Sequence, residues 1–283
     1  MSTDVRIDAL LPHEMAEKAE SIGVKKAQMT ALEMFFLAIL AGAFIALGAI
    51  FATTVAAGNT NWPYGVIKLL VGVSFSLGLI LVIVGGAELF TGNNLIAMAW
   101  ASRKVATSAL LRNWVIVYIG NMVGSVGTAI LSFIAKQYTF GGGSVGYTAL
   151  SIANSKVHLG FWQAIALGIL CNALVCLAVW ITFSTRSTVD KIAAIIFPIA
   201  AFVAAGFEHS VANMYFIPRG LLIKQFAPTF AANSGLDLSA LTWSNFLLHN
   251  LLPVTIGNII GGSLLVAGFY WIIFLRSNHK DLS

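Results

Sequence analysis

Residues 31–51 read ALEMFFLAILAGAFIALGAIF, and the chain repeats runs of this kind to its end. A bilayer core about 30 Å thick is crossed by roughly 20 apolar residues in a helix. Six runs reach that length, at about 31–56, 65–87, 110–135, 160–183, 190–218 and 247–275. They are apolar on every face, without the alternation of a membrane barrel strand, so helices are expected. Charged residues make up 10% of the chain, against about 25% in a soluble domain. Mean hydropathy is +0.88. With 283 residues, little chain is left for a soluble domain.

Orientation follows from Lys and Arg. An inside N-terminus puts Arg6, Lys18, Lys25, Lys26, Arg103, Lys104, Arg112, Arg186, Lys191, Arg276 and Lys280 on the cytoplasmic side. Lys68, Lys136, Lys156, Arg219 and Lys224 fall at outer ends. Both termini are therefore expected inside. The net charge of +5 is mostly this bias, and no nucleic-acid partner is needed to explain it. The first thirty residues mix acids and Lys and lack a short apolar core with a cleavage site, so the first span is expected to be its own signal. Cys171 and Cys176, five apart on one helix, point away from each other and read as packing residues.

The chain also resembles itself. GAELFTGNN, residues 86–94, matches GFEHSVANM, residues 206–214, pairing Gly86 with Gly206, Glu88 with Glu208 and Asn93 with Asn213. NWVIVYIGNMVG, residues 113–124, matches NLLPVTIGNIIG, residues 250–261. A fainter match joins AILAG (38–42) to AIALG (164–168). Three spans per copy is an odd number, so the second copy enters the membrane upside down. Such inverted repeats place their sites near the midplane, at interrupted helices in matching positions of the two halves. The interruptions expected here are GAELFTGNN and GFEHSVANM. The G-x-x-x-G spacings at Gly120/Gly124 and Gly257/Gly261 read as close helix contacts, with Asn121 and Asn258 bonding across helices or holding broken backbone.

An ionisable group inside a bilayer is costly and faces a bundle interior. Glu88 and Glu208, with Asn93 and Asn213, occur in both copies and read as structural. A carboxylate two residues past the Gly offers an acceptor to the unpaired N–H groups of a broken helix. His209 has no twin, since Leu89 stands opposite it. It is either a satisfied interior His or a solute-handling group. Thr91 is the converse case, paired with Val211. Together they offer an imidazole and a hydroxyl to a small polar solute. Asn172 either bonds across helices or joins them. Lys156 either anchors in headgroups or attracts anions at a pore mouth. Among the His residues 13, 158, 209, 249 and 279 only His209 falls near a midplane. Paired haem ligands, Cys-x-x-Cys, a P-loop and a nucleophile elbow are all missing, so no metal, no cofactor and no enzymatic activity is expected. GGGSVG, residues 141–146, reads as a flexible outer loop.

With GFEHSVANM, NLLPVTIGNIIGG, GLILVIVGGAELFT, LGILCNALVCLAVW and the RS-T-VDK link, the chain resembles the formate–nitrite transporter family along nearly its whole length, most closely the bacterial formate channels. The resemblance implies an all-α membrane protein with an aquaporin-like protomer, six spans as two inverted three-helix repeats, and helices two and five interrupted. It implies a homopentamer in the bacterial inner membrane with one pore per protomer. It further implies apolar constrictions at Phe75, Leu79, Leu89, Phe90, Val175 and Phe202. Thr91, Asn172 and His209 are implied to line a polar chamber between them, with Lys156 by the outer approach. After Thr91 the loop reads Gly92-Asn93-Asn94, where formate channels carry small hydroxyl residues.

The expected function is a channel for formate, as anion or formic acid, and similar small monovalent anions, with pH-dependent gating. Rival readings are a nitrite or hydrosulfide channel of the same family, and a membrane anchor subunit of a formate-oxidising respiratory complex. A cytoplasmic formate-metabolising enzyme is a candidate partner. The expected divisions are an N-terminal segment (1–28), a first repeat (29–136), an outer connecting loop (137–159), an inverted second repeat (160–276) and a cytoplasmic tail (277–283). In the N-terminal segment Leu11, Met15, Ala19 and Ile22 share one face. It reads either as a helix lying on the membrane surface or as a pH-sensitive cover over the inner mouth, using His13 and its acidic neighbours.

Overall fold

A computed structural model describes residues 9–58 and 61–276. The expected tail, 277–283, lies outside the described residues. The described chain is helical and contains no strand. Helix α1 runs Pro12–Gln28, α2 Ala31–Ala56 and α3 Tyr64–Gly85. A short α4, Phe90–Asn93, a 3-10 turn, Asn94–Ile96, and α5, Ala97–Ala101, follow. Then come α6 Thr107–Ile134, α7 Ser144–Val157 and α8 Phe161–Thr182. The chain closes with α9 Thr188–Ala204, α10 Ser210–Phe226, α11 Pro228–Ala232 and a long α12, Trp243–Phe274. Two stretches of α12, Phe246–Leu251 and Ile260–Gly268, are wound as π-helix.

Among the described residues five helices, α2, α3, α6, α8 and α12, are long and apolar enough to cross a membrane. The run expected at 190–218 is divided between α9 and α10, and neither piece reaches that length. Many large apolar side chains, such as Leu131, Phe197 and Phe269, face outward, which suits lipid rather than water.

Helices pair where side chains vanish. A Cβ at Gly124 would lie 2.0 Å from the Ile39 carbonyl oxygen, and one at Gly261 would lie 2.2 Å from that of Ile169. So α6 touches α2, and α12 touches α8, backbone to backbone, as the G-x-x-x-G spacing predicts. These contacts also fix the repeat register. Gly124 and Gly261 differ by 137, whereas Ile39 and Ile169 differ by 130. The α2–α8 equivalence is therefore 130, and the match of 38–42 to 164–168 is one helical turn out. A four-residue slip keeps small residues on the same helix face, so Ala/Gly patterns match in either register.

The outer connecting loop also differs from expectation. Most of 137–159 is α7, which buries Val145, Ala149, Leu150, Ala153 and Val157 on one stripe. The three glycines before it, Gly141 to Gly143, all take positive φ and lead into its first turn. Arg219, expected at an outer end, is buried.

Candidate functional site

The two breaks are built alike. Helix α3 ends at Gly86 (φ 73°) and α9 is followed by Gly206 (φ 76°), the left-handed conformation that closes a helix. Ala87 N–H donates back to the Val82 carbonyl at 2.9 Å, and Phe207 N–H to the Phe202 carbonyl at 3.0 Å. The chain then runs extended for a few residues before α4 and α10 begin. Its exposed backbone donors find partners across the bundle. Glu88 N–H donates to the Leu37 carbonyl at 3.2 Å and Glu208 N–H to the Leu167 carbonyl at 3.3 Å. Phe90 N–H donates to Asn121 Oδ1, and Ser210 N–H to Asn258 Oδ1, each at 2.9 Å. The same two amides donate to the Glu88 and Glu208 carbonyls, each at 2.9 Å. Asn121 and Asn258 thus hold the broken backbone.

The carboxylates of Glu88 and Glu208, expected to accept those N–H groups, do something else. Lys26 Nζ donates to Glu88 Oε1 at 2.6 Å, and Lys156 Nζ to Glu208 Oε1 at 2.7 Å. Asn93 Nδ2 donates to Glu88 Oε2 and Asn213 Nδ2 to Glu208 Oε2, both at 2.7 Å. Asn113 and Asn250 complete each cluster, accepting from Asn93 and Asn213 and donating to the Lys26 and Lys156 carbonyls. Lys156 is therefore drawn in to Glu208 rather than out to headgroups. Lys26, counted from the sequence only as a cytoplasmic charge, is its mirror. Helix α1 stands to the first repeat as α7 stands to the second, and a boundary after residue 28 separates Lys26 from its partner. The missed signal is the 130 offset, since the capping pairs Thr30/Glu33 and Gly160/Gln163 fall on it as well.

Each break opens on a vestibule. The one at the first break, about 340 Å³, which orientation by Lys and Arg is expected to place inside, is lined by α1 (Lys18, Ile22, Lys26), by Leu79 and Leu89, and by Glu88 and Lys191. The one at the second break, about 300 Å³, is lined by Lys68, Phe75, Lys156, Phe202, Glu208 and His209. Phe75 and Phe202 meet edge to face at 5.8 Å, and Phe202 stacks on the His209 ring at 6.0 Å. Phe90 instead turns its ring to α6, against Tyr118 at 4.9 Å and Trp114 at 6.2 Å. Val175, Thr91 and Asn172 are buried and line neither vestibule.

The breaks meet at one polar contact, Thr91 Oγ1 with His209 Nε2 at 2.9 Å. The other ring nitrogen, Nδ1, accepts the Ala212 N–H at 3.0 Å and caps α10. A nitrogen that accepts carries no proton, so a neutral His209 holds its proton on Nε2 and donates it to Thr91. Protonating Nδ1 breaks the cap. The pair can present the Thr91 hydroxyl to a small polar solute, with His209 fixed behind it. Asn172 has both amide hydrogens engaged, by Asn258 O at 2.6 Å and Asn94 Oδ1 at 3.3 Å. Among the described residues no cluster of His, Cys, Asp and Glu fit for a metal ion occurs.

Inverted repeats, paired helix breaks and two vestibules joined at a polar point define a membrane transport protein. The sequence model of the Formate/nitrite transporter family matches residues 13–272, and the chain belongs to that family, which is one of transporters and not of enzymes. It is 46% identical over 282 residues to the formate channel FocA of Escherichia coli strain K12, covering 98% of this chain and 99% of that one. It is 40% identical over 265 residues to the FocA of Haemophilus influenzae, covering 92% and 93%. Among solved structures it matches a pentameric formate channel with formate bound, with TM-score 0.81 and 47% identity over 87% of this chain and 98% of that one. It also matches an FNT family ion channel, with TM-score 0.77 and 30% identity over 92% and 98%.

Proposed function

We propose that this chain forms a homopentameric channel passing formate, as anion or formic acid, and similar small monovalent anions across the bacterial inner membrane. Each protomer carries its own six-span path, with both termini cytoplasmic. The observation that carries the reading is the Thr91–His209 contact, set between two vestibules that each hold a Lys–Glu pair. The formate channels among its relatives and structural neighbours support the choice of substrate. A cationic vestibule concentrates small anions at each mouth. The apolar walls at Leu79 and Leu89 inside, and at Phe75 and Phe202 outside, pass a neutral acid more readily than an ion. Phe90, Val175 and Asn172 frame this path rather than line it. Helix α1 walls the inner vestibule, so we include pH-dependent closure by α1 in the proposal.

The test is solute entry into sealed vesicles holding this chain alone, with formate, nitrite and hydrosulfide compared at equal gradients. Formate entering fastest supports the reading. Robust nitrite or hydrosulfide entry without formate entry replaces it with the corresponding sister function.

A further inference from the structure

We propose that Asn94 is the positioning residue for Thr91, holding the first break in register with the second and so setting which solutes pass the Thr91–His209 pair. The proposal rests on the formate reading of that site.

Asn94 is fully buried where α4 tightens into the 3-10 turn. Its Nδ2 donates to the Phe90 carbonyl at 2.9 Å, closing the four-residue helix that carries Thr91. Its Oδ1 accepts from Asn172 Nδ2 on α8. Asn172 also donates to the Asn258 carbonyl, and Asn258 holds the start of α10 through Ser210 N–H. A continuous line of amides thus runs from the Thr91 turn to the turn that His209 caps. Cys176, one turn along α8 from Asn172, donates its thiol to the Thr91 carbonyl at 3.3 Å.

The other copy of the repeat has no such line. Asn94 corresponds to Met214 by the 120 offset, and Asn172 to Gly42 by the 130 offset. On the sixth span, Gly262 stands where the first copy has Ser125. Ser125 Oγ lies over Gly42, donating to its carbonyl at 3.1 Å and facing the Val211 carbonyl at 3.4 Å. In the second copy a Cβ at Gly262 would lie 2.4 Å from Asn172 Nδ2, 2.7 Å from Asn94 Cβ and 2.9 Å from Cys176 Sγ. Removing that side chain is what admits the amide pair. Neither the repeat nor the general need to satisfy broken backbone demands this arrangement, since the Val211 side does without it. It occurs on the side where a hydroxyl faces the solute.

Phe90 N–H to Asn121 and the Cys176 thiol to the Thr91 carbonyl also hold this short helix. The Asn94–Asn172 pair is the tie that joins its last turn, through Asn258, to the start of α10. Four residues are too few to be held by their own hydrogen bonds. Freed from Asn172, the Thr91 turn shifts relative to His209, and the hydroxyl that the pair presents is no longer placed for the smallest carboxylate. Asn94→Ala in the full chain, reconstituted in vesicles, should keep assembly while the ratio of formate to acetate entry falls about ten-fold, the scale on which a fitted pocket rejects one extra carbon. Asn172→Ala should do the same, and the double variant no more than either alone, because both cut one line. An assembled Asn94→Ala with an unchanged ratio overturns the proposal, as do single effects that add in full. If Asn94→Ala does not assemble, Asn172→Ala decides: an about ten-fold fall in the ratio supports the proposal, and an unchanged ratio overturns it. A readout free of transport separates this inference from the function it rests on. The Nε2–H resonance of His209 in ¹⁵N-His-labelled protein, assigned with His209→Asn, should move in Asn94→Ala. If it moves although the wild type passes no formate, the positioning role stands and the formate reading falls. If it stays, the positioning role falls whatever crosses the membrane.

Discussion

The side chains of Glu88 and Glu208 are almost wholly buried, and each faces one ammonium. Breaking a buried ion pair by removing one partner costs about 3–5 kcal/mol, because the other charge is left without compensation. Lys156 is 15% exposed and Lys26 27%, so the Lys156–Glu208 pair lies nearer the top of that range. Lys156→Met and Glu208→Gln should each lower the melting temperature of the purified protein, and the double variant should recover part of the loss. Full additivity in that cycle would remove the pair from the account. Glu208 was legible in the sequence as the twin of Glu88, because both repeat copies carry the acid. The expected bonds from its carboxylate to broken backbone are replaced by bonds from Lys156 and Asn213. Its Lys partner was not legible, because a Lys just before an apolar run reads equally well as a headgroup anchor. Only the bundle shows that Lys156 turns inward. Asn121 and Asn258 were legible as cross-helix amides, since they recur at one offset within matching G-x-x-x-G runs. The thiol of Cys176 and the amide of Asn94 were not, for their counterparts in the other copy carry no such groups.

At the scale of elements, α1 is not an appended strap. It supplies Lys26 to the first break, and Lys104 pairs with its Glu20. Lys18 donates to the Phe183 carbonyl at 2.8 Å, and Arg112 to that of Met29 at 2.8 Å. Deleting 1–28 should therefore depress the melting temperature at least as far as Lys26→Met does, rather than merely leave the inner mouth open. A deletion as stable as the whole chain would return α1 to the surface-helix reading. The α6–α2 and α12–α8 contacts admit no side chain, so Gly124→Ala and Gly261→Ala should each cost about 1–3 kcal/mol as overpacking, seen as lost thermal stability. Melting temperatures equal to wild type would deny that these backbones touch. Both breaks were legible, because Gly at the left-handed position and a buried acid two residues later appear twice. Helix α7 was missed although Val145, Ala149, Ala153 and Val157 recur every four residues. Its Ser, Gly and Asn residues, and the glycines ahead of it, hid the stripe.

The whole molecule is one three-helix unit used twice in opposite senses, each preceded by a helix that delivers a Lys to the break. The repeat gives two equal halves; what departs from it gives the path its chemistry. Thr91 faces Val211 in the repeat, His209 faces Leu89, and the two departures meet at 2.9 Å. His209 caps α10 through Nδ1 and so acts as a neutral donor from Nε2. Asn is among the best N-caps, so His209→Asn should assemble and melt like the wild type. The pH dependence of flux is then expected from the acid–base equilibrium of formic acid and from closure by α1 rather than from the imidazole. The most direct measurement is the initial rate of formate entry, over a series of pH values, into vesicles holding only this chain as wild type or as His209→Asn. Wild-type entry well above that of protein-free vesicles, with a pH profile that His209→Asn reproduces at lower amplitude, is the expected result. No entry above protein-free vesicles, or a variant whose rate no longer varies with pH, would contradict it.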